Sequence, residues 1–505
     1  MTASGAPISL FLADEAATIR LGEDLALALK AGDCLTLSGD LGAGKSSMAR
    51  ALIRAIADDL GLEVPSPTFT LVQSYDIRIP VSHFDLYRLA DGSELEELGF
   101  DEALQNGICL VEWPEMARHE MPEDRIVLAL EHEGQGRRVT ITAPEKKAER
   151  IERVLAIRTF LGGLGYETAS RRFLTGDASL RAYEAVYPAT GGRKILMDWP
   201  PLPEGPPVLD GKPYPKVAHL AENAHPFVAI AGALRERGFA TPEIYGVDYP
   251  QGILLIEDLG TEGVLDAGGL PIAERYLESV ACLARLHGMQ IPQDIPAGKD
   301  HIHHVPDFDR TAMKMEARLL LDWHLPWKRG GAAATEAERD EYLSIWDALI
   351  DQLAEAEKNL LLRDFHSPNI IWRGEKQGVQ KIGLIDFQDA MIGPTSYDLA
   401  SIAQDARVTI EPPLFRELMD AYLDIRRSQG GFDEASFLKS WAIMSAQRNC
   451  KLAGLWVRLL QRDGKPGYLK HMPRTLAYLR VALEHEALAP LREWCARAGI
   501  VTSES

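Results

Sequence analysis

Apolar and polar positions follow two different rhythms along this chain, and the change of rhythm divides it. Up to about residue 145, apolar runs of strand length alternate with stretches of helical period. "CLTLSGD" reads as a buried strand and "KSSMARALIRAIADDLG" as a helix, with "TLVQSYDI", "VSHFDLYRL" and "GICLVEW" as further strands. That alternation predicts a small α/β sheet. Further on, "RAYEAVYP" and "RKILMDWP" have the pattern of two antiparallel strands, "AHPFVAIAGALRERGF" that of a helix and "GILLIEDLG" that of a strand. From about Ala273 the helical period dominates, broken by short strands around "NIIWR" and "KIGLIDF". The pattern predicts one domain over residues 1–148 and a second over 155–505, with a β-rich small lobe (about 155–260) and a helical large lobe (about 261–505). The seam is expected in "VTITAPEKKAERIERVLAIRTFLGGLG", where the strand-like run Val139 to Thr142 gives way to a charged helical pattern. "PPLPEGPPVLDGKPYP" is expected to be a loop.

Length agrees with a division, since 505 residues exceed one ordinary core. The chain carries 54 Lys and Arg against 74 Asp and Glu, a formal charge of −20. The first 150 residues hold 14 basic and 26 acidic side chains, so both halves are acidic. This argues against broad nucleic-acid binding, which needs clustered cations. It leaves room for nucleotides, whose charge is met locally by loops and Mg²⁺. The five Cys have neither metal-ligand nor redox-motif spacing, and no signal peptide or membrane-length apolar run is seen. A cytoplasmic protein with reduced thiols is expected.

Two stretches carry phosphate chemistry. "GDLGAGKS" (Gly39 to Ser46) is a complete P-loop between a strand and a helix. Gly39, Gly42 and Gly44 permit a tight backbone path that turns N–H groups toward phosphate; Lys45 reaches the terminal phosphates and Ser46 holds Mg²⁺. Asp85 and Glu112 each close a strand-like run, where a carboxylate can face a phosphate-bound metal. With "VPSPTFTLVQSY", "HFDLYRL" and "GICLVEWPE" in that order, residues 8–145 resemble the bacterial ATPase subunit of the tRNA threonylcarbamoyladenosine machinery, the TsaE family. The resemblance implies that Thr68 of "SPTFT" lies near ATP, that Asp85 helps organise Mg²⁺, and that Glu112 is a Walker-B-like acid with Trp113 beside it. It also implies two protein partners, the threonylcarbamoyl-transferring subunit and its paralogue, with tRNA engaged only through them.

The second stretch is "LLRDFHSPNIIW". Asp364 and Asn369 have the spacing of a kinase catalytic-loop base and its metal-binding Asn. Asp386 in "IGLIDFQDA" stands where a DFG-type metal Asp would, and Asp398 and His287 read as structural. With "LTGDASLRAYEAV", "ILMDWPP", "QDARV" and "QRNCKLAGLWVRL", residues 155–490 resemble the aminoglycoside phosphotransferase superfamily, within it the kinases of N-acetylmuramate and N-acetylglucosamine that act on the anomeric hydroxyl. A bilobal, protein-kinase-like α+β domain using ATP and Mg²⁺ follows from that resemblance. Two positions depart from the superfamily pattern: Leu362 replaces the usual His, and Met197 falls where the strand Lys is expected. Lys194 is nearby but is expected to point elsewhere; Lys212, Lys216 and Arg181 are the candidates to meet the ATP α/β-phosphates, each equally readable as a solvated surface charge. "HIHH" (His301 to His304) lacks a fourth ligand and the context of a zinc site and reads as a surface or substrate-side loop.

The expectation is a fusion of two enzymes: an α/β P-loop ATPase serving tRNA modification, then an amino-sugar kinase of cell-wall recycling. Two alternatives for the second half stay open: phosphorylation of an aminoglycoside, another small alcohol or a protein, and a non-catalytic docking module.

Overall fold

The computed structural model describes residues 6–174, 181–201 and 205–501. They fall into two compact units. The first comprises residues up to Trp199 with Tyr245–Asp248 and Ile253–Glu257; the second comprises the rest.

The first unit is built on a seven-stranded sheet, β1 (Ile8–Leu12), β2 (Cys34–Ser38), β3 (Val72–Tyr75), β4 (Val81–Asp85), β5 (Ile108–Glu112), β6 (Ile126–Glu133) and β7 (Gly136–Thr142), in the order β1-β7-β6-β2-β5-β4-β3. The central pairs β4–β5, β5–β2 and β2–β6 are parallel. Strands buried on both faces need continuous apolar sequence, and "CLTL" and "ICLV" supply it. Helices α1 (Glu15–Ala28) and α2 (Lys45–Ala57) pack together beside this sheet. Asp14 caps α1 by accepting from the Ala17 amide at 2.7 Å.

The expected seam lies inside one continuous helix, α3 (Glu145–Gly163). Its buried stripe serves two cores. Ala148, Ile151 and Val154 join the core of the seven-stranded sheet. Ile157 and Leu161 join that of a second, five-stranded sheet. This second sheet contains β8 (Ser170–Leu174), β9 (Ala182–Tyr187), β10 (Lys194–Asp198), β11 (Ile244–Asp248) and β12 (Ile253–Glu257), ordered β11-β12-β10-β9-β8. Charge reinforces the junction. Arg171 is 1% exposed and donates to Asp24 of α1 (2.7 Å), to Glu184 of β9 (2.7 Å) and to the Val154 carbonyl (2.8 Å). Arg158 of α3 also reaches Asp24, at 2.7 Å. The antiparallel pairing of "RAYEAVYP" with "RKILMDWP" agrees with the sequence pattern.

The second unit is mainly helical. Its principal helices are α4 (His225–Glu236), α5 (Ala273–His287), α6 (Arg310–Leu319), α7 (Glu336–Asp351), α8 (Ser396–Ala403), α9 (Pro412–Gln429), α10 (Glu434–Gln461), α11 (Met472–Ala482) and α12 (Ala489–Arg497). Two small antiparallel sheets lie among them: β13 (Lys358–Leu361) with β16 (Met391–Pro394), and β14 (Ile370–Trp372) with β15 (Ile382–Leu384). The main core gathers Trp346, Tyr342, Trp494 and Trp456 around α10. Gly454 sits where α10 passes the end of α6; a Cβ there would lie 2.0 Å from the Leu319 carbonyl carbon and oxygen.

The expected loop at residues 200–215 is more ordered where it is described. Pro207–Leu209 pairs with Lys212–Pro213 across Asp210 and Gly211, both at positive φ, and a helical turn follows at Tyr214–Val217. The Asp-Gly pair is the hairpin signal that the prolines obscured. Among the described residues, no helix is long and apolar enough to cross a membrane. All five cysteines are buried and free.

Candidate functional sites

In the first unit, parallel register brings the ends of three strands level. Glu112 stands opposite both Leu37 and Asp85. The P-loop leaves β2 and enters α2 with Gly39, Gly42 and Gly44 at φ of 138°, 82° and 103°. A Cβ on Gly39 would come within 2.2 Å of the Leu130 carbonyl oxygen, so this position excludes other residues on space as well as on φ. Lys45 is 4% exposed. Its ammonium donates to the carbonyls of Gly39 (2.6 Å) and Asp40 (2.9 Å) and lies 3.6 Å from the Trp113 ring centroid. Burial lowers its pKa, against the pull of Glu112, Glu115, Asp85 and Asp40.

The carboxylates are tied in as well. Glu112 accepts from Ser46 at 2.9 Å through one oxygen and contacts His83 Nε2 at 2.9 Å through the other. Asp85 accepts from Thr68 (2.7 Å) and Ser66 (2.9 Å), so "SPTFT" is anchored to the end of β4. Trp113 has φ of 59° and meets Tyr87 at a tilt, centroids 5.0 Å apart and ring planes 51° apart. All the residues expected here therefore converge. The sequence reading missed His83, although strand alternation puts it on the same face as Asp85. It also missed Arg137, whose Nη1 lies 1.8 Å from where a Cβ on Gly44 would stand; that nitrogen is buried with no hydrogen-bond partner among the described residues.

The second site lies within the second unit. The β14–β15 pairing sets Ile370 opposite Leu384 and so places Asn369 beside Asp386. Asn369 Nδ2 donates to the Asp364 carbonyl (2.9 Å) and to the Asp386 carboxylate (3.2 Å). Asp386, at φ 61°, also accepts from Gln388 at 3.0 Å. Buried acids hold the loop at both ends. Asp398 accepts from the amides of Leu362 (2.5 Å) and Arg363 (2.8 Å), and Asp405 from the Ser367 amide (2.9 Å) and the Tyr276 hydroxyl (3.1 Å). His287 contacts the Tyr422 hydroxyl at 2.8 Å from a buried position, which agrees with a structural role.

Burial raises the pKa of Asp364, but the charges of Lys451, His366, Arg363 and Arg448 outweigh it and hold the carboxyl below its ordinary value. Asp364 opens onto a cavity of about 170 Å³ whose wall includes Tyr214, Arg363, Arg448, Lys451 and Arg458. Sequence reading missed these cations and Glu316, the buried counterion of Arg363 and Lys451. "QRNCKLAGLWVRL" placed three of them at helical spacing, yet gave no sign of what they face.

Met197 is buried in β10. Lys194 stands over Tyr245, 3.6 Å from its centroid, and Arg181 over Trp199 at 5.0 Å. Lys212 is exposed. The HIHH segment forms a short strand, with His304 bonded to Asp294 at 2.7 Å. Among the described residues, no group of three or more His, Cys, Asp or Glu side chains is arranged to hold a metal ion unaided.

Residues 12–140 match the family "Threonylcarbamoyl adenosine biosynthesis protein TsaE", and residues 170–438 match the "Phosphotransferase enzyme family". The chain belongs to both families. It is 31% identical to an N-acetylmuramate/N-acetylglucosamine kinase of Caulobacter vibrioides, over 68% of this chain and 96% of that protein. A Pseudomonas putida protein of the same name is 29% identical over 60% of this chain and 81% of its own length. The TsaE half is 39% identical to the Bacillus subtilis tRNA threonylcarbamoyladenosine biosynthesis protein TsaE, over 24% of this chain and 77% of that protein. The phosphotransferase half is the α+β kinase-like part of the chain and the TsaE half its P-loop α/β part.

Proposed function

We propose that the chain carries out two ATP-dependent reactions. The TsaE half hydrolyses ATP to drive threonylcarbamoyladenosine formation on tRNA, together with the threonylcarbamoyl-transferring subunit and its paralogue. The phosphotransferase half phosphorylates the anomeric hydroxyl of N-acetylmuramate or N-acetylglucosamine in the cytoplasm.

In the TsaE half, the backbone of Gly39 to Gly44 and the Lys45 ammonium bind the phosphates. Ser46, Asp85 and Glu112 offer hard oxygen ligands, the donor set that suits Mg²⁺ shared with phosphate. Thr68 ties the switch-like segment to Asp85, and Glu112 orders the attacking water. Leu41 and Phe69 flank these residues in sequence and are 80% and 82% exposed, which suits contact with a protein partner. The acidity of this half leaves tRNA to the partners.

In the kinase half, the observation that carries the reading is Asp364 at the wall of a cavity, with Asn369 and Asp386 joined behind it. An amide and a carboxylate are oxygen ligands for Mg²⁺, which would neutralise charge on the transferring phosphoryl group. Asp364, kept ionised by its cationic neighbours, accepts the proton of the acceptor hydroxyl. The same cations disfavour a polycationic aminoglycoside as acceptor. Incubation of the full chain with ATP and each amino sugar, followed by NMR of the product, tests the reading. Phosphate on the C1 oxygen is expected; a C6 phosphate overturns the anomeric assignment, and no sugar phosphate at all overturns the kinase reading.

A further inference from the structure

The wall of the acceptor cavity has the opposite sign from the protein. On a chain of net charge −20, the cavity is lined by Arg363, Arg448, Lys451 and Arg458, against the single carboxylate of Asp364. Arg448, Lys451 and Arg458 lie three and seven residues apart in succession, on one face of α10. Two of the four cations are already compensated: Glu316, fully buried, pairs with Arg363 and with Lys451 at 2.9 Å.

The other two act on carboxylates only at longer range, Arg448 on Asp364 and Arg458 on Asp463, and each keeps a buried nitrogen free of hydrogen bonds among the described residues. Arg448 is 3% exposed, and its Nη1 has no hydrogen-bond partner among the described residues. Arg458 has its guanidinium 4.8 Å from the Tyr214 ring centroid and a buried Nε equally without a partner. A buried guanidinium left without an acceptor is costly. A ligand anion removes that cost. The nucleotide's phosphates are the first anion to consider, but the groups assigned to Mg²⁺, Asn369 and Asp386, are not part of this wall, whereas the base Asp364 is. That placement favours the acceptor over the nucleotide as the anion these cations meet.

We propose that Arg448 and Arg458 receive a carboxylate of the acceptor sugar, and that this pocket selects a carboxylate-bearing amino sugar over a neutral one. The proposal rests on the amino-sugar reading above. N-acetylmuramate differs from N-acetylglucosamine by a lactyl ether that ends in a carboxylate, so the pair isolates the group in question. Arg448 and Arg458 act as specificity residues that bind a part of the acceptor that does not react; loss of Arg448 also weakens the field on Asp364 and lowers kcat for both sugars alike, so selectivity is read in the ratio between the sugars.

The test compares kcat/KM for both sugars in the full-length protein, in Arg448→Gln, and in Arg458→Gln. The ratio of N-acetylmuramate to N-acetylglucosamine efficiency is expected to fall about 10- to 100-fold in Arg448→Gln, the loss typical of a charge-assisted hydrogen bond. It falls less in Arg458→Gln, and Arg448→Lys restores part of it. If Arg448→Gln does not fold, Arg458→Gln carries the same comparison from the half-buried end of the stripe. Equal losses on both sugars would overturn the proposal, because the cations would then serve phosphoryl transfer. An unchanged ratio in both variants would overturn it too. A wild-type protein that phosphorylates neither sugar would remove the functional reading itself, and this proposal with it.

Discussion

The two candidate phosphate sites meet one electrostatic problem with different parts of the chain. In the TsaE half the cradle is backbone: three glycines at positive φ and one lysine, all within eight consecutive residues. In the phosphotransferase half the site is made of side chains, held in place by buried acids from far along the sequence. Asp398 is more than thirty residues from the amides it receives, and Glu316 is 47 from Arg363. A backbone cradle resists most side-chain changes but fails if a glycine acquires a Cβ. A side-chain site tolerates loop variation but depends on every buried charge keeping its partner.

The largest effects are expected when one proposed functional group is removed from each site. Asp364→Asn is expected to lower sugar-kinase kcat about 10²- to 10⁴-fold, the usual loss for a general base, with ATP affinity nearly unchanged in equilibrium dialysis. Asp386→Ala should weaken nucleotide binding as well. Normal turnover by Asp364→Asn would remove the catalytic-loop assignment. Lys45→Ala in the full chain, assayed with the partner subunits, should abolish their ATP turnover while sugar-kinase activity persists. If both activities fell, the two sites would not be independent.

A smaller effect separates cradle from scaffold. Glu316→Gln leaves the Arg363 and Lys451 charges undercompensated in a buried position, a loss of about 3 kcal/mol. Calorimetry should show one transition lowered by several degrees, with nucleotide binding at the P-loop retained. The smallest effect is in pH. Burial lowers the pKa of His324 and of His471 to about 4, assisted by Lys328 and by Arg474 respectively. Unfolded histidine takes up a proton near pH 6.5, so between pH 6.5 and 4 the unfolded chain binds more protons. Stability is therefore full above pH 6.5 and declines as pH falls toward 4. His324→Phe should flatten that slope in acid melting curves; an unchanged slope would show that His324 does not contribute to it.

The same contrast governs what the sequence could reveal. A cradle made from consecutive residues is visible as "GDLGAGKS", and the strand-end acids Asp85 and Glu112 follow from periodicity. Asp364 and Asn369 were visible for the same reason, being five residues apart. Arg448, Glu316 and Asp405 were not, because their roles exist only once distant helices pack. Arg137 escaped for a related reason: β7 runs antiparallel to β6, and only the sheet order brings it back to the P-loop. The seam was drawn where the pattern changes from strand to helix. Pattern cannot tell that one helical stripe belongs to two cores.

That shared helix has a bearing on how the two enzymes can be inherited. Arg171 belongs to the kinase half by sequence, but the Asp24 carboxylate that receives it belongs to the ATPase half. A gene split at the seam would strip Asp24 of both guanidinium partners, Arg158 and Arg171, while Arg171 kept Glu184, and would leave each product with half of an apolar stripe. Separation would require compensating substitutions at Asp24, Arg158 and Arg171 before either product gained anything. Each contact across the seam thus makes separate proteins less accessible to single mutations.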